Sequence, residues 1–265
     1  MVSDGRQAPA DDGHAVAGQA KYTAPPVLGK FHEISVETPD IAESVAFYER
    51  LGFTQVGTTD TWQHPYGVLT DGKLFLGLHQ FKFPSPTITY VHADVAEHAH
   101  VIEKHGVELA WKRVGEDAFN EVGFFDPSGQ PVRVQEAPTH FASDRERGDP
   151  SLCGDFAEFS LPAAEFPAMR EFWEPLGFVA LGESDAPYLR MSMTSDHIDL
   201  AVHRPRTLDA PMLVFVAADM GERIERLRSL GFELSEDLPR GLDPRHSALI
   251  SAPEGTALLL VNAIE

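Results

Sequence analysis

The chain has 265 residues, 43% of them hydrophobic, and a formal net charge of -20 at pH 7. This length supports one large domain or two small ones. The negative charge argues against nucleic acid and against an anionic membrane surface as partners, because phosphate groups are bound by basic patches.

No apolar run approaches the length of a membrane span, and the N-terminal stretch MVSDGRQAPADDGHAVAGQA lacks the apolar core of a secretory signal. The single cysteine, Cys153, cannot form an internal disulfide, and one thiol cannot make a structural zinc site. Together these features predict a cytoplasmic protein.

The chain opens with residues 1–28, which are poor in large apolar side chains and are expected to form a disordered tail. The stretch FHEISVE (31–37) then alternates as a strand does. Asp40 is placed to cap a helix over 41–51, and Gly52 is placed to end it.

Three strand patterns follow this helix, FTQVGTT, YGVLTDG and KLFLGLHQ, with an Asp-Gly hairpin signal before the last. The same order then recurs with strand TITYVHAD, helix VAEHAHVIEKHG and strands VELAWKR, NEVGFFD and QPVRVQE. The charged segment over 140–151 lacks periodicity and is predicted to be a linker.

The second half of the chain repeats the first at an offset of 125 or 126 residues. FYERLGF (47–53) returns as FWEPLGF (172–178), and DPSGQPVRV (126–134) returns as APEGTALLL (252–260). A tandem duplication is therefore predicted, with domains over 29–139 and 152–265. A weaker repeat inside each half indicates four copies of one strand–helix–three-strand unit.

The segments ETPDIAESVAFYERLGF, DPSGQPVRV and EFWEPLGF resemble the vicinal oxygen chelate superfamily, which includes glyoxalase I, bleomycin-resistance proteins and extradiol dioxygenases. The resemblance covers about residues 30–265. It implies an α+β fold of two tandem domains, each made of two βαβββ units that form a curled-sheet cup. The cup commonly holds a divalent metal and a small ligand, but a fold that hosts many chemistries does not name one.

In this superfamily the metal ligands lie on the first and last strands of each unit. The resemblance places Glu33, Gly77, Ile88 and Arg133 at these positions in the first domain. In the second domain it places Glu158, Asp199, Leu213 and Leu259 there. The metal enzymes carry His or carboxylate ligands, and extradiol dioxygenases keep their iron ligands in the second domain, so this set argues against a standard dioxygenase.

Strand neighbours alternate faces, so His32 is expected on the helix side and Glu33 in the cup. By the same spacing the cup should show His79 beside Gly77, Tyr90 and His92 above Ile88, and Gln135 beside Arg133. Trp62, His64 and Tyr66, in or beside the loop WQHPYG, are candidates for covering a ligand.

Three interpretations of this lining stay open. In the first, Glu33 and Arg133 pair and act on an acidic or carbonyl-bearing ligand, with Glu33, His79 or His92 as proton acceptor. In the second, Glu33, His79 and His92 form a displaced two-histidine, one-carboxylate site for iron, manganese or zinc. In the third, the polar groups are structural.

We therefore expect a glyoxalase-like or bleomycin-resistance-like protein that binds or transforms a small organic molecule in the first cup without a metal cofactor. Glu33 and Arg133 are the expected catalytic residues. The expected ligand contacts are His79, Tyr90, His92, Gln135 and Trp62. The alternative is a metal-dependent lyase, isomerase or dioxygenase. The sequence does not decide whether the protein only binds its ligand or is an enzyme, or whether it is a monomer or a homodimer.

Overall fold

The computed structural model describes residues 26–57, 62–116, 119–137, 151–235 and 237–263. Residues 1–25 and 138–150, which carry most of the predicted tail and linker, lie outside the described residues. Leu28, at the end of the predicted tail, is buried in the core. No described helix is both long enough and apolar enough to cross a membrane.

The first half forms an eight-stranded mixed sheet in the order β2-β3-β4-β1-β5-β8-β7-β6. Its elements are β1 Lys30–Glu37, α1 Ile41–Arg50, β2 Thr54–Val56, β3 Tyr66–Thr70, β4 Phe75–His79, β5 Thr87–His92, α2 Val95–Lys104, β6 Trp111–Arg113, β7 Glu121–Phe125 and β8 Pro131–Glu136. Strands β1 and β5 run antiparallel at the centre, and each pairs in parallel with the last strand of its own unit.

The second half forms a seven-stranded sheet in the order β10-β11-β12-β9-β13-β15-β14. Its elements are β9 Asp155–Pro162, α3 Phe166–Trp173, a 3-10 turn Glu174–Leu176, β10 Val179–Ser184, β11 Arg190–Thr194, β12 Leu200–His203, β13 Met212–Ala217, α4 Met220–Ser229, β14 Ser247–Ser251 and β15 Ala257–Asn262. The two sheets share one pattern of strand pairing, as expected for a duplicated chain.

Local chemistry explains where the first helix begins and ends. The side chain of Asp40 accepts hydrogen bonds from the backbone N–H groups of Ala42 and Glu43, so the predicted cap is confirmed. Gly52 has a positive φ of 90°, a conformation that favours glycine and stops the helix where predicted. On α2 the buried residues recur at helical spacing, at Val95, Ala99 and Ile102.

One face of the first sheet is apolar and packs toward the helices. Ile34 pairs with Leu76 and Ile88, Ile88 pairs with Val132, and all four are fully buried in the main core. Burial of each such side chain stabilises the fold by about 1.5–3 kcal/mol. The opposite face is polar and forms the first cup.

The two halves exchange reciprocal contacts through their helices. Tyr48 of α1 donates a 2.7 Å hydrogen bond to Glu254 in the turn between β14 and β15. Trp173, at the equivalent position of α3, donates a 3.2 Å hydrogen bond to Asp126 in the turn between β7 and β8. Phe53 packs on Phe215 between them. The main core cluster therefore contains residues of both halves.

We expect Tyr48→Phe to lower the free energy of unfolding by about 2 kcal/mol, because it removes one of the donors to the Glu254 carboxylate. Urea unfolding followed by circular dichroism measures the change. In a cycle with Glu254→Gln the two losses should not add. Additive losses, or a loss under about 0.5 kcal/mol, would contradict the contact.

Candidate functional site

Glu33 lies at the floor of the first cup and is only 1% exposed. Its Oε1 accepts hydrogen bonds from Ser35 Oγ at 2.8 Å and from His79 Nε2 at 3.2 Å. Its Oε2 accepts from Tyr66 Oη at 2.6 Å. A side chain at Gly77 would put its Cβ 2.0 Å from Oε1, so the carboxylate fills the space that glycine leaves open.

His32 corrects one expectation. It was predicted to face the helices, yet its Nε2 lies 3.6 Å from Glu33 Oε2. The register between β1 and β5 shifts between Phe31 and Glu33, and such a bulge breaks strict alternation by adding a residue to one strand. The sequence offered no signal for this extra residue.

The Glu33 carboxylate is ionised. Burial acts to raise its pKa, but the neighbouring His32 and the hydrogen bonds from His79 and Tyr66 outweigh burial and hold the pKa well below its usual range. Glu33 is therefore a fixed negative charge, and the hydrogen bonds it makes engage both of its oxygens.

Arg133 faces Glu33 across one hydroxyl. Its Nη2 donates to Ser35 Oγ at 3.1 Å and to Thr89 Oγ1 at 3.3 Å, while Ser35 donates to Glu33. The predicted bidentate pair is thus replaced by a serine bridge between the two charges. The Arg133 Nε is buried and has no hydrogen-bond partner among the described residues.

The face expected for β5 is wrong by one residue. Thr89 pairs with both Glu33 and Arg133 and lies in the cup. Tyr90 is buried on the helix side, edge-on to Phe31. His92 stacks on His98 of α2 at 3.7 Å and bonds to Asp94. A slip of one residue exchanges the two faces of a strand. The position counted back from Asp94 was one residue off, so the side chains assigned to the cup are those of the opposite face. Tyr90 and His92 therefore do not lie in the cup.

A cavity of about 420 Å³ opens above Arg133. Charged side chains line part of it, namely Lys82, Arg113, Glu121 and Arg133. The rings in its wall, besides His79, are Trp62, His64, Phe81, Phe83 and Trp111. The Arg133 guanidinium carbon lies 5.6 Å from the Trp62 ring centre and 5.8 Å from that of Phe83, within cation–π range.

Two of the predicted contacts differ in their position relative to the cavity. Trp62 lies in the cavity wall, and its Nε1 is buried without a partner among the described residues. Gln135 is buried on the same face as Arg133, but it lies outside the cavity lining that the described residues form. Sequence reasoning missed Phe81, Phe83 and Trp111, although the run HQFKFPSP after β4 offered an aromatic signal.

His64 completes a chain of polar contacts that begins at Glu33. Its Nε2 lies 3.0 Å from Nδ1 of His79, whose Nε2 bonds to Glu33. The His64 ring also stacks on Phe81, with ring centres 5.0 Å apart. Burial lowers the pKa of His64, and the nearby His79 and Arg133 lower it further. A neutral imidazole at this position can exchange a proton with a ligand in the cavity.

Comparison with known proteins adds evidence on the fold. Neither a protein-family model nor a curated protein sequence matches the chain. Among solved structures, a catechol 2,3-dioxygenase is 14% identical, with 88% of this chain and 87% of that one covered and a TM-score of 0.57. The 2,3-dioxygenase LapB from Pseudomonas sp. KL28 is 11% identical, with 89% and 92% covered and a TM-score of 0.58. The chain has the vicinal oxygen chelate fold.

Homoprotocatechuate 2,3-dioxygenase from Brevibacterium fuscum shares this fold at 17% identity, with 90% of this chain and 72% of that one covered and a TM-score of 0.57. Identities this low show a common fold and leave the chemistry to the side chains. The predicted α+β class is confirmed.

The vicinal oxygen chelate fold implies a divalent metal, so the donors of the first cup must be tested against one. Gly77 and Thr89 occupy two of the four ligand positions, and the Arg133 cation occupies a third. Glu33 is already engaged, and His92 has left the cup. No three His, Cys, Asp or Glu side chains among the described residues are arranged to hold a metal ion. The residues do not fit the metal.

The second cup of this vicinal oxygen chelate fold has a different lining. Arg190 Nε lies 3.0 Å from Glu158, and Ser192 donates to Glu158 at 2.9 Å. The cavity beside them, about 280 Å³, is walled in part by Val214 and Val261. Its chemistry is that of an ion pair in an apolar pocket.

Two expected positions in this cup are corrected. Asp199 precedes β12 and binds Thr194, and Ala201 pairs with Ser160 as Gly77 pairs with Ser35. Leu213 packs in the main core, and Val214 pairs with Glu158. The error at Leu213 is again a one-residue slip that exchanges strand faces, whereas Asp199 lies two residues before Ala201, which is a shift along the strand.

The buried His203 of the second cup makes the stability of the fold depend on pH. The ring is fully buried, and its Nε2 donates to the Leu208 carbonyl at 2.9 Å while Nδ1 lies 2.8 Å from Ser160 Oγ. Burial lowers the pKa of His203 from 6.5 to about 4. Between these two pH values the unfolded chain binds a proton at this residue and the folded chain does not. This contribution to stability is complete above pH 6.5 and is lost as the pH falls toward 4.

We expect the contribution of His203 to the free energy of unfolding to fall by about 3 kcal/mol between pH 6.5 and about pH 4. Urea unfolding of the wild type and of His203→Gln between pH 7.5 and 4.5 measures it. The difference between the two free energies should shrink as the pH falls. Parallel curves would show that His203 does not titrate as described.

Proposed function

We propose that the first cup binds a small planar organic molecule bearing a carboxylate or carbonyl group, and that it does so without a metal ion. The observation that carries this proposal is Arg133. Its guanidinium stands at a position where metal enzymes of this fold carry a ligand. Its Nε is buried next to the cavity and has no hydrogen-bond partner in the part of the chain that the structure describes. An unsatisfied donor of a charged group favours an anionic or carbonyl oxygen.

The cavity walls support a flat ligand. The ring centres of Trp62 and Phe83 lie within 6 Å of the guanidinium carbon. The Trp111 indole occupies the space beside Gly123, where a side-chain Cβ would come within 1.9 Å of it. A volume of about 420 Å³ suits a molecule of one ring with a short acidic arm. Ring stacking supplies affinity, and Arg133 supplies orientation.

The rival function is metal-dependent ring cleavage, and it is favoured by the names of the neighbouring structures, which are 2,3-dioxygenases of catechol and homoprotocatechuate. The side chains of the first cup oppose it, because a guanidinium repels a divalent cation. This chain shares the fold of those dioxygenases, but the ligand chemistry that we propose for its first cup differs from ring cleavage at a metal.

Intrinsic fluorescence tests the proposal. Of the three tryptophans, Trp62 and Trp111 line the cavity, and Trp173 is buried between the halves. Phenylpyruvate, benzoate and catechol are titrated in the presence of EDTA. The two carboxylates should quench with affinities that EDTA leaves unchanged, and neutral catechol should bind at least tenfold more weakly. Oxygen uptake with catechol after addition of Fe(II), lost in EDTA, would favour the rival.

A further inference from the structure

We infer that His64 is the proton acceptor of the first cup and that His79 and Glu33 position it for this role. The inference rests on the proposed function, because it assigns chemistry to the ligand bound at Arg133. It also replaces the earlier expectation that Glu33, His79 or His92 takes the proton.

Hydrogen-bond direction gives the first step of the argument. Glu33 is ionised and can only accept, so Nε2 of His79 carries a hydrogen toward Oε1 at 3.2 Å. A neutral His79 then has a lone pair on Nδ1, and His64 must donate from Nε2 across the 3.0 Å contact. The remaining nitrogen of His64, Nδ1, therefore carries a lone pair.

Charge balance gives the second step. Glu33 and Arg133 are nearly buried and carry opposite charges, bridged by Ser35. A further charge buried beside this pair is costly. A proton received by His64 need not stay there, because the Nε2 proton of His64 can pass to His79 across the 3.0 Å contact and then lie against the Glu33 carboxylate.

Position gives the third step. The centre of the His64 ring lies 5.3 Å from the Trp62 ring, and the guanidinium carbon of Arg133 lies 5.6 Å from the same ring. Both side chains line one cavity. A flat ligand on Trp62 with its carbonyl oxygen at Arg133 can thus present the adjacent carbon to His64.

The reaction class follows from these positions. A C–H bond next to the carbonyl breaks, and its proton goes to Nδ1 of His64. The electron pair forms the C=C bond of an enolate, whose oxygen is held by Arg133. Return of the proton to carbon or to oxygen restores the enzyme. The step needs no oxidant, and it points to an aromatic 2-oxo acid or related ketone as substrate.

Nitrogen NMR on the ¹⁵N-labelled full chain tests the tautomers without any ligand. His64 should be the Nε2–H tautomer at pH 7.5, and its resonances are assigned by their loss in His64→Gln. In Glu33→Gln the preference of His79 for Nε2–H should weaken, a change that a merely structural role would not produce. An Nδ1–H tautomer at His64 would overturn the inference.

Proton exchange tests the activity. Phenylpyruvate is incubated in D₂O with EDTA, and loss of its methylene signal is followed by ¹H NMR. Wild-type protein should accelerate exchange, and His64→Ala should lose about 100-fold in rate while fluorescence shows binding within threefold of wild type. Added imidazole should restore part of the rate. His105→Gln, at an exposed histidine beyond α2, serves as the matched control and should exchange at the wild-type rate.

The outcomes separate the two proposals. Binding of phenylpyruvate without catalysed exchange, or an unchanged rate in His64→Ala, overturns the role of His64 and leaves the proposed binding function standing. Absence of binding contradicts the proposed function. The tautomer measurement then tests on its own whether His64, His79 and Glu33 are hydrogen-bonded in the direction described.

Discussion

Replacement of Arg133 with glutamine is expected to weaken the binding of an aromatic carboxylate roughly 100-fold. A hydrogen bond to a charged group is worth about 1.5–3 kcal/mol, and here the guanidinium lies in a nearly dry site at 9% exposure. Arg133→Lys should recover only part of the affinity, since an ammonium cannot donate to Ser35, Thr89 and a ligand in one plane. Fluorescence titration with phenylpyruvate measures the three affinities.

Arg113→Gln is the matched control for this experiment. Arg113 also lines the cavity, but it is 70% exposed and paired with Glu121 at 3.2 Å. Exposed ion pairs contribute little, so its loss should change affinity less than threefold. Equal losses in the two variants would show that the cavity attracts anions only by general charge. If only Arg113→Gln lost affinity, the anion would bind at the rim of the cavity beside Arg113 and not at Arg133.

The second large effect is expected for Gly77→Ala, which should lower the free energy of unfolding by about 3 kcal/mol. The added Cβ would stand 2.0 Å from Glu33 Oε1, so the carboxylate must leave the hydrogen bonds that hold it. Because Gly77 has no positive φ, the effect is purely steric. Urea unfolding measures it, and proton exchange should fall with it.

The neighbouring strand supplies the control. A Cβ at Gly67 on β3 meets its nearest atoms at 3.8 Å, an ordinary contact, so Gly67→Ala should change stability by less than about 0.5 kcal/mol. In a Glu33→Ala background, Gly77→Ala should cost far less than in the wild type. If the cost is the same in both backgrounds, the carboxylate does not fill the space described.

Much of the fold was predictable because its signals are local. The Asp40 cap and the Gly52 stop each depend on a few neighbouring residues, and the repeat at an offset of 125 or 126 residues can be seen by comparing the sequence with itself. Glu33, His79, Arg133 and Trp62 were also named from the sequence. The structure places Trp62, His79 and Arg133 in the wall of one cavity, with Glu33 buried against His79. Their roles stay predictions until the experiments above are done.

The rest of the site depends on properties that a sequence pattern does not carry. A bulge places His32 beside Glu33, and a one-residue slip in β5 exchanged Thr89 for Tyr90 and His92. Strand alternation is strict, so one inserted residue or one miscount moves every later side chain to the opposite face. Phe81 and Phe83 reach the cavity from a loop whose path is set by tertiary packing.

The joint core of the two halves has a consequence for how the chain unfolds. Tyr48 and Trp173 join each half to the closing turn of the other, and one apolar cluster runs through both. Separation of the halves would expose apolar surface that the full chain buries, which is unfavourable. The two cups are therefore expected to melt as one cooperative unit and not as two independent domains.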